Sequence, residues 1–556
     1  MPIAIDEMLS QMVRSGLSTV FGNPGTFEQA FIDKIRAYPE LNYVLCLHES
    51  VVVGAAMGYS RKTKQISAVQ LHGSVGLGNA SGMLLEAKQS KIPILVYVGE
   101  NSQHDEAYQG FLAYDVTSMA KPICKEVVRV TVPQQLTRQL RRAIQIAQTP
   151  PFGPVLFAVP MDVLESEVPN STSINTSSVM CGNTSELVID KVVRYLLESQ
   201  NPIIITGDSV AWSKAQEVVR SLAHLVGAPI FGLGWTMCNA IYDDPLFQEP
   251  LTHAVGKGNA AVFNEGDLIL LFGAPLAWEV LPHRSGYFKS SAKVIQVDSD
   301  PMELGRNFFA DIAVLGNVKE ILDQICARFS NAIDSEYKER ANIRLQSAIQ
   351  RKLLKRQQME EKWTKVARVE TNHPFDMLGA LATFMRDDDL IFEEAMTNQQ
   401  FLRHTFPLSN PELYYPALSR TLGAGLTGVI GAAVAEPNRR SVGLSSDGAA
   451  MYVPQALWTA ANLKLNVLFV IINNQSYRVL KLNLDDYRNR LGQKAGQYPF
   501  MDIKNPIIDF VELAFTFGIP AERAKTKGEV YTAMEMLMKN AGPKLLDLQV
   551  SGSINL

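Results

Sequence analysis

Short apolar runs alternate with helix-periodic stretches along most of this chain, and that alternation constrains its fold more than any other feature. In the first block, residues 1–168, the runs are "STVFGNP", "YVLCL", "ISAVQL", "PILVYVG" and "PVLFAVP". In a second, 185–330, they are "NPIIITGD", "APIFGLG", "DLILLFGAP" and "KVIQVDSDP", and in a third, 373–556, "LIFEEA", "SVGLSSDG", "NVLFVIINN" and "KLLDLQV". Apolar runs divided by helical patterns specify βαβ units, in which parallel strands are covered on both faces by crossover helices. The expected fold class is α/β, with three doubly wound parallel-sheet domains. A chain of 556 residues exceeds the roughly 250–300 at which one core stops growing. The polar stretch "NSTSINTSSVMCGNTSE" (170–186) reads as a linker. Residues 331–372 read as a second, containing a long surface helix that crosses to the third block.

A net charge of −4 gives no electrostatic case for nucleic acid or an anionic membrane surface as partner. No stretch approaches the roughly 20 apolar residues of a membrane span. The five cysteines (Cys46, Cys124, Cys181, Cys238, Cys326) are scattered and lack C-x-x-C spacing. This argues against zinc or a disulfide framework and suits a reducing compartment. "MPIAIDEMLSQMVRSGL" has no basic start before an apolar core, so no secretory signal is expected. The expected location is cytoplasmic.

Three motifs invite chemistry. In "YVLCLHESVVVGAAMGYS", Glu49 stands between a strand pattern and a helix pattern with only His48 and Ser50 as polar neighbours. It reads either as a first-turn acid favoured by the helix dipole, about 0.3–1 kcal/mol, or as a carboxylate awaiting a partner. "QLHGSVGLGNASG" comes close to a dinucleotide-binding turn, but its glycines equally suit a tight strand-to-helix connection. The third block holds the sharpest signal. Asp447-Gly448 ends one strand run and Asn473-Asn474 ends the next. The interval between them holds a helix and a return strand, so both groups emerge on the carboxyl edge of a parallel sheet, where α/β proteins bind ligands. A carboxylate and an amide oxygen there suit Mg²⁺. Gly448 and Ala449, opening the helix, would let a diphosphate approach its N-terminal N–H groups.

This stretch resembles the diphosphate-and-metal motif of thiamine-diphosphate-dependent enzymes, a GDG followed by a double asparagine, with Ser446 in place of the first glycine. Together with "FGNPGT" (21–26), "LHES" (47–50), "LHGSVGLGNASG" (71–82) and "AEP" (435–437), it is similar to the benzoylformate-decarboxylase-like branch of the 2-oxo acid decarboxylases and carboligases. The order of motifs matches a pyrimidine-binding, a middle and a diphosphate-binding domain. The resemblance implies thiamine diphosphate and Mg²⁺ as cofactors. It makes Glu49 the glutamate that hydrogen-bonds the aminopyrimidine ring and favours ylid formation. Asp447 and Asn474 would bind the metal through side chains and Ser476 through its carbonyl. Leu422 would wedge the cofactor into its bent form, and the Arg420 carbonyl would meet the pyrimidine amino group. Arg420 and Thr421 depart from the family's usual glycines. Thr397 and Asn398 are further diphosphate candidates.

For substrate chemistry the resemblance points to Thr26, where relatives commonly have serine, and to His72 as an acid/base, a strand-end structural histidine being the alternative. A second histidine is expected from the middle block, with His283 as candidate. The chain lacks the paired histidines of pyruvate decarboxylases, and Phe111-Leu112 stands where acetolactate synthases carry Phe-Gln. The implied activity is non-oxidative decarboxylation of a 2-oxo acid, aryl or bulky alkyl, with carboligation to an aldehyde. The alternatives are an acetolactate-synthase-like or lyase-type carboligase, and a non-catalytic regulatory subunit. The resemblance also implies a homo-oligomer, a dimer of dimers, with sites shared between subunits.

Overall fold

The structure, a computed structural model, describes residues 1–554 except 170–174, 178, 180, 181, 183, 252–262, 277–286, 419, 420 and 495. Among the described residues, three six-stranded parallel sheets carry the fold. Across the first, the order is Asn42–Leu45, Thr19–Gly22, Ser67–Leu71, Ile94–Glu100, Pro154–Pro160 and Glu126–Arg129. The second runs Ile312–Leu315, Lys293–Asp298, Leu268–Phe272, Pro202–Thr206, Ile230–Leu233 and Phe247–Leu251. Five strands of the third run in the order Leu390–Glu394, Ser441–Ser446, Val467–Asn473, Lys544–Gln549 and Ala521–Ala524. Strands covered on both faces read as unbroken apolar runs, and Ser67–Leu71 and Val467–Asn473 are buried at every position.

The chain divides into two compact units. One comprises Met1–Val179, Glu370–Thr405 and Ala417–Leu556, and holds the first sheet and the strands named for the third. The other comprises Met180–Val369 and Phe406–Pro416, and holds the second sheet. The expected long helix exists, as Ser335–Ala367. Its first half packs on its own unit: the Tyr337 hydroxyl donates to the Leu196 carbonyl at 3.2 Å and Arg344 to the Val226 carbonyl at 2.8 Å. Much of the expected linker 170–186 lies outside the described residues.

Within the first unit, the helices Glu49–Thr63 and Ala424–Ala435 are buried almost throughout and pack together. Small residues make this approach close. A Cβ on Gly58 would overlap the Gly428 carbonyl, and one on Gly431 would overlap the Ala55 carbonyl. The contact matters because the first helix begins at Glu49, and the second begins beside Leu422. Gly58→Ala is expected to destabilise the protein by about 1–3 kcal/mol or more, since backbone rather than a pliable side chain must yield. Gly528→Ala, where an added Cβ meets nothing within 4 Å, is expected to be neutral or stabilising by up to about 1 kcal/mol. Urea unfolding of the two variants checks both signs.

Candidate active site

The carboxyl edge of the first sheet gathers three sequence-distant segments. Glu49 opens its helix but does not cap it. His48 is the cap, its Nδ1 accepting from the Ser50 N–H at 3.1 Å. Glu49 is buried, and its two oxygens accept from the Asn23 amide at 3.3 Å and the Asn79 amide at 3.1 Å. The apparent isolation of this carboxylate in the sequence is thus removed by partners 26 and 30 residues away. Gly76, in the glycine turn, leaves room for it: a Cβ there would stand 3.1 Å from Glu49 Oε1. Gly76 thus serves close packing around a carboxylate.

His72 follows the strand Ser67–Leu71, and its ring lies over the "NPGT" turn, where a Cβ on Gly25 would overlap Nδ1. Sequence reasoning missed its partner. Glu28, wholly buried, accepts from His72 Nδ1 at 3.2 Å and from the Gly73 and Gly99 backbone N–H groups at 3.1 and 2.9 Å. Burial pushes the Glu28 carboxyl above its usual range, opposed by these donors. When ionised, the Glu28 carboxylate selects the Nδ1–H tautomer, which leaves Nε2 as the acceptor nitrogen. Thr26, two residues before Glu28, is exposed. Nearby, Ser74, Gly99 and Leu112 line a cleft of about 380 Å³, while Phe111 is 88% exposed. Glu28→Ala would orphan two backbone donors and unpair the histidine, an expected loss of about 3–5 kcal/mol. Glu28→Gln keeps an acceptor and should lose less. Denaturant melts of the pair check the ranking.

On the third sheet, Asp447, Gly448, Ala449, Asn474, Ser476, Thr397, Asn398 and Leu422 all line one cavity, with Arg478. Asp447 is buried, and its Oδ1 accepts from the Gly448 N–H at 2.9 Å. The N–H groups of Gln475 and Ser476 also pull its pKa down, but burial outweighs them and pushes the carboxyl up to about 6. Its Oδ2 is buried without a hydrogen-bond partner. Such an orphan is costly in a native protein and calls for an explanation. The double asparagine divides its labour. Asn473 is buried and donates to Asp547 at 3.0 Å, a structural tie. Asn474 is the one that lines the cavity, its Oδ1 accepting from the Ser476 N–H at 2.9 Å.

The segment carrying Leu422 is held by buried carboxylates on both sides. The Thr421 N–H donates to Glu86 at 3.0 Å, and the Gly423 and Gly425 N–H groups donate to Glu394 at 3.1 and 3.2 Å. Burial pushes Glu394 up to about 8. Gly423 sits at φ +96°, which glycine alone adopts without strain. The structure thus brings together the metal and diphosphate candidates in one cavity, and Thr26 and His72 beside Glu28. Arg420 and His283 lie outside the described residues. Arg478 and Glu28 are the residues that sequence reading passed over.

Comparison with known proteins places these motifs. Residues 4–120 match "Thiamine pyrophosphate enzyme, N-terminal TPP binding domain", 189–325 the central domain of the same family, and 396–548 its C-terminal TPP binding domain. The chain is 27% identical over 540 residues to benzoylformate decarboxylase of Pseudomonas aeruginosa, covering 96% of each. It is also 27% identical over 564 residues to the acetolactate synthase large subunit of Porphyra purpurea, covering 99% of this chain and 92% of that one. Among solved structures, the thiamine diphosphate-dependent 4-hydroxybenzoylformate decarboxylase of Rhodococcus jostii RHA1 superposes with a TM-score of 0.85 at 25% identity over the whole of both chains. Benzoylformate decarboxylase from Polynucleobacter necessarius shares the fold at a TM-score of 0.86 and 23% identity, over 100% of this chain and 99% of that one.

Proposed function

Since the chain belongs to the thiamine pyrophosphate enzyme family, we propose that it decarboxylates a 2-oxo acid non-oxidatively, with thiamine diphosphate and Mg²⁺, and can pass the product fragment to an aldehyde. The observation that carries the reading is the orphaned Asp447 Oδ2, buried in a cavity shared with Asn474, Ser476, Thr397 and Asn398. Carboxylate, amide and carbonyl oxygens form the hard donor set that Mg²⁺ takes alongside phosphate oxygens, so the residues fit the group. Asp447, Asn474 and the Ser476 carbonyl would hold the metal. Thr397, Asn398 and the N–H groups opening at Gly448 and Ala449 would hold the diphosphate, with Leu422 setting the bend.

Thiamine diphosphate, when bound, supplies a nucleophilic carbon and an electron sink for loss of CO₂. The chain's own residues do the rest. Glu49 would hold and exchange a proton at the pyrimidine ring from a buried position fixed by Asn23 and Asn79. The Thr26 hydroxyl would orient the substrate carboxylate. His72, its tautomer set by Glu28, would move a proton at the substrate oxygen through Nε2. His283 and the Arg420 carbonyl remain part of the proposed set from the sequence resemblance alone. The 111–112 pair, apolar where a glutamine would serve acetolactate synthesis, favours an aryl or bulky alkyl substrate. A homo-oligomer in the cytoplasm completes the reading. Among the described residues no helix is long and apolar enough to cross a membrane.

Acetolactate-type ligation is the second reading, favoured by the likeness to the Porphyra enzyme. Product analysis separates the two. Incubation with pyruvate and with an aryl 2-oxo acid is expected to yield mainly the aldehyde from the latter. Acetolactate as the dominant product from pyruvate, especially from a yellow, flavin-bearing preparation, would establish the second reading instead.

A further inference from the structure

The helix Arg478–Arg490 brings into the cavity a group that the metal-and-diphosphate motif does not include. Arg478 is only 4% exposed. Its guanidinium donates from Nε to the Thr397 hydroxyl at 2.8 Å, from one terminal nitrogen to Asn398 Oδ1 at 2.7 Å, and from the other to the Ser551 carbonyl at 3.3 Å. All three acceptors are neutral. Among the described residues no carboxylate stands within ion-pairing distance of it; Glu370 and Asp447 act on it only from further away. A guanidinium keeps its charge in proteins, so the group is a cation. A guanidinium has five N–H donors, and these bonds use three. A buried cation without a counter-ion is costly, and this one borders the orphaned Asp447 oxygen's own cavity. An acid and a base share one pocket without pairing, an arrangement that a metal and an anion together would neutralise.

We propose that Arg478 is a cofactor-binding residue whose guanidinium meets the diphosphate directly, beside the Thr397 and Asn398 groups it already holds in place. The inference rests on the thiamine diphosphate reading of the cavity. It assigns the pocket a second, protein-borne cation in addition to the metal, and the fork geometry suits bidentate phosphate oxygens.

The test is calorimetric titration of the full-length protein, freed of cofactor, with thiamine diphosphate and separately with inorganic pyrophosphate, both with Mg²⁺. Arg478→Gln is expected to weaken both ligands by about 10- to 100-fold, the loss of charge-assisted hydrogen bonds. Arg478→Lys, which keeps the charge without the fork, should fall between parent and Gln variant, and it carries the test if the Gln variant does not fold. Parent-like affinity for both ligands in a folded Gln or Lys variant overturns the assignment and leaves the cofactor reading intact. So does a loss for thiamine diphosphate with none for pyrophosphate. A parent protein that binds neither ligand overturns the cofactor reading itself, and this inference with it.

Discussion

Glu49→Gln is expected to lower kcat/KM by about 10²- to 10⁴-fold, the range a positioned proton-transfer group contributes, while thiamine diphosphate affinity changes far less. The surroundings of the residue make the expectation specific. The helix Glu49–Thr63 is capped by His48 and gains little from an acid in its first turn. The two carboxylate oxygens are instead occupied by the amides of Asn23 and Asn79. A glutamine retains one acceptor and turns an N–H toward the other asparagine, a mismatch worth about 1 kcal/mol. Asn79 is exposed and can turn to water, so the melting temperature should hardly move. Steady-state kinetics and thermal unfolding on one preparation decide the matter. A melting temperature that falls while the folded fraction keeps parental kcat/KM would make Glu49 a structural residue.

Asp447→Asn should have the second-largest effect, and of an unusual kind: function lost, stability kept. The substitution preserves Oδ1, which accepts from the Gly448 N–H. It replaces Oδ2, the buried oxygen without a partner, and removes a charge that burial already disfavours. The cofactor-free variant should therefore unfold within about 1 kcal/mol of the parent, or later, because the burial cost of the charge, which outweighs its backbone donors, has been relieved. Its affinity for thiamine diphosphate in Mg²⁺ should drop by more than about 100-fold, the consequence of removing a charged ligand from a divalent ion. Titration calorimetry gives the binding and urea unfolding the stability. Unchanged binding would mean that the orphaned oxygen has another purpose.

The parallel sheets were legible because strands buried on both faces are written as continuous apolar runs, as in Ile94–Glu100 and Val467–Asn473. The cavity proposed to hold the diphosphate was legible because Asp447 and Asn474 sit at strand ends, which βαβ connectivity brings to one edge. What a linear reading could not supply were partners across segments. Glu49 reads as unpaired until Asn23 and Asn79 fold against it. Glu28 left a fainter trace. It shares a helical spacing with Phe31 and Ile35, both buried, so a charge sat on an apolar face, the mark of a buried, partnered acid. Arg478 left none. It opens a polar helix on which only it and Lys481 are buried, and a buried arginine there is indistinguishable in sequence from a solvated one. The two asparagines likewise look equivalent until Asn473 is seen tied to Asp547.

The most direct test of the central claim is the initial rate of CO₂ release from aryl and alkyl 2-oxo acids, with thiamine diphosphate and Mg²⁺ added or withheld. Turnover that needs both additions, is fastest on aryl or bulky alkyl substrates and collapses in Glu49→Gln is the result this account requires. Release that persists undiminished without thiamine diphosphate, or no release from any 2-oxo acid by a protein that binds the cofactor, would contradict it.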